Sequence, residues 1–170
     1  MRLFLTALLL AALPVAAQNL SGRRAPSFSL PDSTTKQHDV LDYRGTWLLL
    51  DFMQTDCTPC KQLTKKLDTI KAQYGSKVTV VNILLTPPEN SSTVVKYVAE
   101  TKSTSTFLFD QGQVTISYFK ATPQNPKFEI PHLFAVSPSG NIVKDWGEVG
   151  WGSATFLSSL NQVLGVAPTK

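Results

Sequence analysis

Apolar and polar positions along the chain fall into short runs that switch between a period of two and a helical period. Phe28-Ser29-Leu30 alternates, Pro31-Asp32-Ser33-Thr34 turns, and Gln37 to Val40 can return beside it, which predicts a β-hairpin. Trp47 to Phe52 is apolar except for Asp51 and predicts a strand buried on both faces. Leu63, Leu67, Ile70 and Tyr74 recur at spacings of 4, 3 and 4, one face of a helix that begins near Cys57 and that Gly75 is placed to end. Val78 to Leu85 is rich in β-branched residues and predicts the next buried strand, broken by Thr86-Pro87-Pro88. Ser91 or Ser92 is expected to cap a helix running to about Lys102. Phe107 to Phe109 reads as a short extended piece and Val114 to Phe119 as a turn or two of helix. Leu133 to Val136 and Ile142 to Trp146 read as strands joined by the turn Ser137-Pro138-Ser139-Gly140-Asn141. A last amphipathic helix carries Phe156, Leu157, Leu160 and Leu164. Strands alternating with helices and followed by a hairpin predict an α/β domain: a mixed central sheet flanked by helices, with an N-terminal β-hairpin extension.

The N-terminus has a different pattern. Met1-Arg2 is positively charged, Leu3 to Leu13 is almost wholly apolar, and Val15-Ala16-Ala17 offers small residues at a cleavage site. This pattern predicts a signal peptide over 1–17, and the apolar run is too short to span a bilayer as a stable helix. An uncleaved N-terminal anchor is the alternative; no cysteine follows the run to carry a lipid. A polar lead-in over 18–24, a domain over 25–165 and a tail over 166–170 complete the expected organisation, with no internal repeat. Export places the chain where disulfides persist.

Composition narrows the classes. The 170 residues are 42% hydrophobic, which excludes a disordered chain, and one domain of this length buries a core without staples. The net charge of +4 comes with no basic run beyond Arg23-Arg24 and Lys65-Lys66, so no nucleic-acid partner is expected. Two cysteines exclude a disulfide-dense scaffold and a four-thiolate zinc site.

Both cysteines lie in Cys57-Thr58-Pro59-Cys60, between the buried strand and the amphipathic helix. At a helix start, unpaired backbone N–H groups and the positive end of the macrodipole favour thiolate over thiol, and the thiolate is the nucleophile. Cys60 falls about one turn later and can attack a mixed disulfide formed at Cys57. The bland alternative is a structural bridge, but one closing so small a loop constrains the unfolded chain little. C-x-x-C near a βαβ pattern reads as a redox dithiol.

These blocks resemble a known family. Leu49-Leu50-Asp51-Phe52 followed by Cys57-Thr58-Pro59-Cys60-Lys61 resembles the active-site block of thioredoxins. Ala25-Pro26, Phe28, Leu30-Pro31-Asp32 and Tyr43-Arg44-Gly45 resemble the exported TlpA/ResA-like redoxins. Ile130-Pro131-His132-Leu133-Phe134-Ala135-Val136, with Pro138 and Gly140, is similar to their cis-proline strand and following hairpin. The resemblance spans roughly Ala25 to Leu164 and implies a thioredoxin-like fold and thiol–disulfide exchange. It implies that Cys57 attacks, Cys60 resolves, Pro131 is the cis-proline facing the motif and Ile130 pairs its backbone with a substrate strand. Asp51 matches a buried acid under the motif; desolvation should raise its pKa and let it accept the Cys60 proton. The alternative for Asp51 is a satisfied polar residue at a strand end.

Four features depart from the family. Asp56 stands where thioredoxins usually carry Trp, and the Pro/Asn-rich stretch Ala121 to Lys127 is long. Glu89 lies near the place of an acid common in the TlpA/ResA-like group, but Thr86-Pro87-Pro88 disturbs the register and leaves it unassigned. Lys61, Lys65 and Lys66 read as a solvated helix face. His132 reads as structural and His38 as a surface hairpin residue.

The leading expectation is an exported thiol–disulfide oxidoreductase that reduces partner disulfides, with no cofactor and no metal. Its expected partners are disulfide-bearing or dithiol proteins and a membrane-linked electron donor, and the domain is expected to be a monomer. The reducing direction follows from Asp56, whose charge opposes a thiolate at Cys57, and from Thr58-Pro59 in the motif in place of a cation. The alternative is a copper-binding or metal-delivery redoxin using the two thiolates and His132, although such proteins typically space their cysteines C-x-x-x-C. A peroxidase would carry Pro and Thr seven and three residues before the attacking Cys; here those positions are Leu50 and Gln54.

Overall fold

The computed structural model describes residues 19–165. The expected signal peptide over 1–17 and the tail over 166–170 lie outside the described residues. Among the described residues the strands are β1 (Arg23–Arg24), β2 (Ser29–Pro31), β3 (Gln37–Asp39), β4 (Trp47–Met53), β5 (Val78–Leu85), β6 (Thr106–Asp110), β7 (His132–Val136) and β8 (Asn141–Trp146). The helices are α1 (Thr58–Tyr74), α2 (Ser91–Thr101), α3 (Gln113–Phe119), α4 (Glu148–Gly152) and α5 (Phe156–Leu164).

A mixed sheet in the order β1-β8-β7-β4-β5-β6 forms the centre, and β2 pairs with β3 in a separate two-stranded hairpin. Strand β4 runs parallel to β5 and antiparallel to β7. Every residue from Leu48 to Met53 is buried, as a central strand covered on both faces requires. Alternation then separates two interiors. Leu48, Leu50 and Phe52 pack with Phe28, Leu30, Tyr118 and Phe134 on one face. Leu49 packs under Leu63 and Leu67 of α1 on the other, and Met53 packs with Cys60. The aromatic side is dense: the Phe52 ring lies 5.2 Å from Tyr118 and from Phe119, tilted or edge-on rather than stacked.

Helix α1 buries Leu63, Leu67, Ile70 and Tyr74, the face that their spacing predicts, and ends at Gly75 with φ +55°, a conformation favoured by glycine. Three details differ from the sequence reading. The cap of α2 is Asn90, whose side chain accepts from Ser92 and Thr93 N–H; Ser91 and Ser92 are already helical, and the Ser91 hydroxyl donates to the Ser33 carbonyl. Leu157 is 51% exposed, whereas Phe156, Leu160 and Leu164 of the same helix are buried. Arg23–Arg24 forms an edge strand on β8 in the polar lead-in. Two residues show no period, and flanking backbone bonds hold them, from Gly22 N to Ile142 O and from Ala25 N to Gly140 O.

Candidate redox site

The carboxyl end of β4 leads through Gln54, Thr55 and Asp56 to Cys57, which is the N-cap of α1 in extended conformation. Cys57 and Cys60 are joined by a disulfide with Cα atoms 5.2 Å apart. The Cys60 backbone N–H donates to Cys57 Sγ at 3.1 Å. Pro59 occupies an early helical position whose missing N–H leaves no bond unmade. Cys60 is fully buried among Met53, Leu84, Val94, Tyr97 and Phe107, while Cys57 is half-buried at the edge of that cluster. An attacking group therefore reaches Cys57 first.

Asp51 is fully buried, and neither of its carboxylate oxygens has a hydrogen-bond partner. Burial pushes its pKa well above the usual carboxylate range. It shares the α1 side of the sheet with Leu49 and Met53, so α1 covers it. The structure does not satisfy it with partners, as the alternative of a bonded strand-end residue would require.

Glu89, which the sequence left unassigned, is 4% exposed and anchors the loop before Cys57. Its carboxylate accepts from the Thr55 N–H at 2.8 Å, from the Thr55 hydroxyl at 2.8 Å and from the Thr93 hydroxyl at 2.5 Å. The signal that could have found it is its place just before the Asn90 cap, where β5 has ended and α2 has not begun.

The Ile130–Pro131 bond is cis, immediately before β7. His132 pairs in register with Phe52, so Ile130 and Pro131 stand at the same end of the sheet as the chain leading to Cys57. His132 lies on the aromatic face, opposite α1. It is buried, with Nε2 3.0 Å from Asp145 Oδ2 and its ring 4.7 Å from Phe134, so it is structural and turned away from Cys60. Burial raises the Asp145 pKa, but hydrogen bonds from His132 and Ser21 outweigh it and hold the carboxyl below its ordinary value.

His38 lies in the hairpin, half-buried, 3.0 Å from Asp32 Oδ2 and 3.2 Å from the Tyr43 hydroxyl, and it ties β3 to the hairpin turn. Asp56 is exposed and borders a cleft of about 270 Å³ with Lys61, Lys96 and Glu100. Lys61 is 2.9 Å from Glu100 in that cleft, rather than simply solvated. The 121–127 stretch is exposed apart from Ala121 and turns through paired Thr122 and Asn125. Among the described residues, no group of three or more His, Cys, Asp or Glu is placed to hold a metal.

A cysteine pair at the first turn of the helix following the central strand, with a cis-proline strand beside it, defines a redoxin of thioredoxin-like fold. The chain belongs to the AhpC/TSA family, whose profile matches residues 21–145. It is similar to the thioredoxin-like protein YneN of Bacillus subtilis, 31% identical over 98 residues, covering 57% of this chain and 58% of that protein. It is similar to the thiol-disulfide oxidoreductase ResA of Geobacillus thermodenitrificans, 26% identical over 126 residues, covering 72% of this chain and 67% of that one. In fold it resembles a crystal structure of a putative thiol:disulfide interchange protein DsbE from Chlorobium tepidum, with a TM-score of 0.71 at 24% identity over 85% of this chain and 98% of that one. The positions where peroxiredoxins carry Pro and Thr hold Leu50, buried within β4, and Gln54.

Proposed function

We propose that this protein is an exported thiol–disulfide oxidoreductase that reduces disulfides in partner proteins through Cys57 and Cys60. The observation that supports it most is the asymmetry of the pair: a half-exposed Cys57 at a helix N-terminus bonded to a fully buried Cys60. In the reduced protein the Cys57 thiolate attacks one partner sulfur, and the other leaves as a thiolate. Cys60 gives its proton to Asp51 and attacks Cys57 Sγ, which releases the second partner sulfur and closes the disulfide seen here. Ile130 offers backbone for an extended partner segment, and Pro131, with no N–H, borders it. Similarity to the thiol-disulfide oxidoreductase ResA supports the same chemistry.

Export rests on residues 1–17, and no helix among the described residues is long and apolar enough to cross a membrane. A working cycle then needs a membrane-linked donor of electrons, and a single domain acting as a monomer suffices for the chemistry. The reducing direction rests on Asp56 beside Cys57 and on Thr58-Pro59 in the motif. The copper alternative gains no support, because His132 stands on the sheet face opposite Cys60 and is bonded to Asp145.

The test is reduction of oxidised insulin by the mature protein with a dithiol reductant. Wild type accelerates the reaction, and Cys57→Ser and Cys60→Ser do not. A wild-type rate equal to the uncatalysed rate contradicts the proposal.

A further inference from the structure

The β4–β5 pairing sets three rows side by side on the α1 face: Leu49 beside Val80, Asp51 beside Asn82, and Met53 beside Leu84. The outer rows are apolar. The middle row is polar, and both its residues are fully buried. Three of its atoms have no hydrogen-bond partner: both Asp51 carboxylate oxygens and Asn82 Oδ1. A native interior leaves few such groups, and three in one row need a cause.

The orientation of the Asn82 amide is determined by its other end. Asn82 Nδ2 donates to the Thr106 carbonyl at 3.2 Å, and a carbonyl can only accept. Thr106 belongs to β6, on the far side of β5 from β4. The amide nitrogen is therefore turned towards β6, and Oδ1 faces the β4 side, where Asp51 stands about 4.8 Å of strand spacing away. Asn82 thus presents only an acceptor to the acid. An ionised Asp51 would set acceptor against acceptor in a buried site, while a protonated one would satisfy Asn82 Oδ1 with its single O–H.

We propose that Asn82 is a positioning residue for Asp51: its carboxamide oxygen accepts the Asp51 carboxyl proton while Cys57 and Cys60 are disulfide-bonded, so that Asp51 enters the reductive half of the cycle as a loaded proton donor. The proposal rests on the oxidoreductase reading. An incoming dithiol donor attacks Cys57 Sγ through its thiolate, the Cys57–Cys60 bond breaks, and its electron pair goes to Cys60 Sγ. The Asp51 proton passes to that thiolate and leaves a carboxylate and a Cys60 thiol. In the oxidising half the proton returns to Asp51, which donates again to Asn82.

The other groups around Asp51 fit this role. Tyr97 of α2 lies close enough for the Asp51 charge to act on it, and its hydroxyl and that of Thr64 on α1 bond each other at 2.7 Å. From β7 comes the apolar Leu133, its register partner. Burial raises the Asp51 carboxyl well above its ordinary value and lifts the Tyr97 hydroxyl to about 12, so both shifts favour the protonated form.

The test is infrared spectroscopy of the oxidised protein at neutral pH. Wild type shows a protonated-carboxyl C=O band that Asp51→Asn removes. The absence of such a band overturns the proposal, however the other variants fold. Asn82→Val takes away the acceptor and moves the band to higher wavenumber; an unmoved band overturns the proposal. Asn82→Thr puts a rotatable donor beside the carboxylate and lowers the pH at which the band disappears by about one unit, the shift expected for one hydrogen bond; an unchanged midpoint overturns it. The two readings separate cleanly: a failed insulin assay with the band behaving as stated sinks the oxidoreductase reading, and full activity with an unmoved band in Asn82→Val sinks this one.

Discussion

Replacing Asp51 by Asn should stabilise the folded protein, and the gain should grow with pH. Asp51 is fully buried, and this desolvation raises its folded pKa above the unfolded value of about 3.9. A group raised in this way contributes fully below the unfolded pKa and loses that contribution as pH rises through the folded one. Over each pH unit in which only the folded chain keeps the proton, wild type loses about 1.4 kcal/mol relative to a side chain that never ionises. Each such unit is a sizeable part of the roughly 5–15 kcal/mol that holds a domain together. Asn has nearly the shape of the protonated acid, so the two proteins should match near pH 4 and diverge above it, until Asp51 ionises in the fold. The assay is urea unfolding of both oxidised proteins at a series of pH values. Every other carboxylate is common to both and cancels in the difference. A stability difference that does not change with pH would refute the reasoning, because it would mean that Asp51 ionises alike in both states.

Further predictions follow from other contacts. Glu89→Ala leaves the Thr55 N–H and two hydroxyls without their charged acceptor and should cost about 2–4 kcal/mol; urea unfolding within about 0.5 kcal/mol of wild type would remove Glu89 as the anchor of the Cys57 loop. Leu67→Ala, at a fully buried site on the inner face of α1, should cost about 2–5 kcal/mol, read as a fall in the urea midpoint at constant slope. Burial raises the Asp32 carboxyl, but bonds from His38, Thr34 and Lys36 hold it at about 2. Asp32→Asn should therefore lower stability above about pH 4, by about 1 kcal/mol after solvent screening, with the difference vanishing as pH falls towards 2. N-terminal sequencing of the exported fraction should begin at or near Gln18; a retained Met1 would contradict cleavage.

Local pattern carried most of the fold because the core elements obey their periods. Val78–Leu85 is bounded by turn signals on both sides and forms β5 with those ends, and Leu63, Leu67, Ile70 and Tyr74 fall on one buried line. Arg23–Arg24 was illegible because two residues have no period, and their strand exists through pairing with β8. Leu157 misled because its apolar side chain adjoins the buried line without belonging to it. The cysteine pair was legible because spacing and neighbouring elements are both in the sequence. Glu89 was not, since its value lies in Thr55, 34 positions earlier in the chain. The same holds for Asn82, an ordinary strand residue until β4 sets it beside Asp51.

The central claim is that Cys57 attacks and Cys60 resolves, and trapping tests it most directly. Reduced Cys60→Ser protein is mixed with an oxidised protein substrate, quenched with an alkylating reagent and mapped by mass spectrometry. The account predicts a stable one-to-one adduct joined through Cys57, which the wild type does not accumulate because Cys60 releases it. Failure of Cys60→Ser to form an adduct, or an adduct joined through Cys60 in the Cys57→Ser protein with none through Cys57, would contradict it.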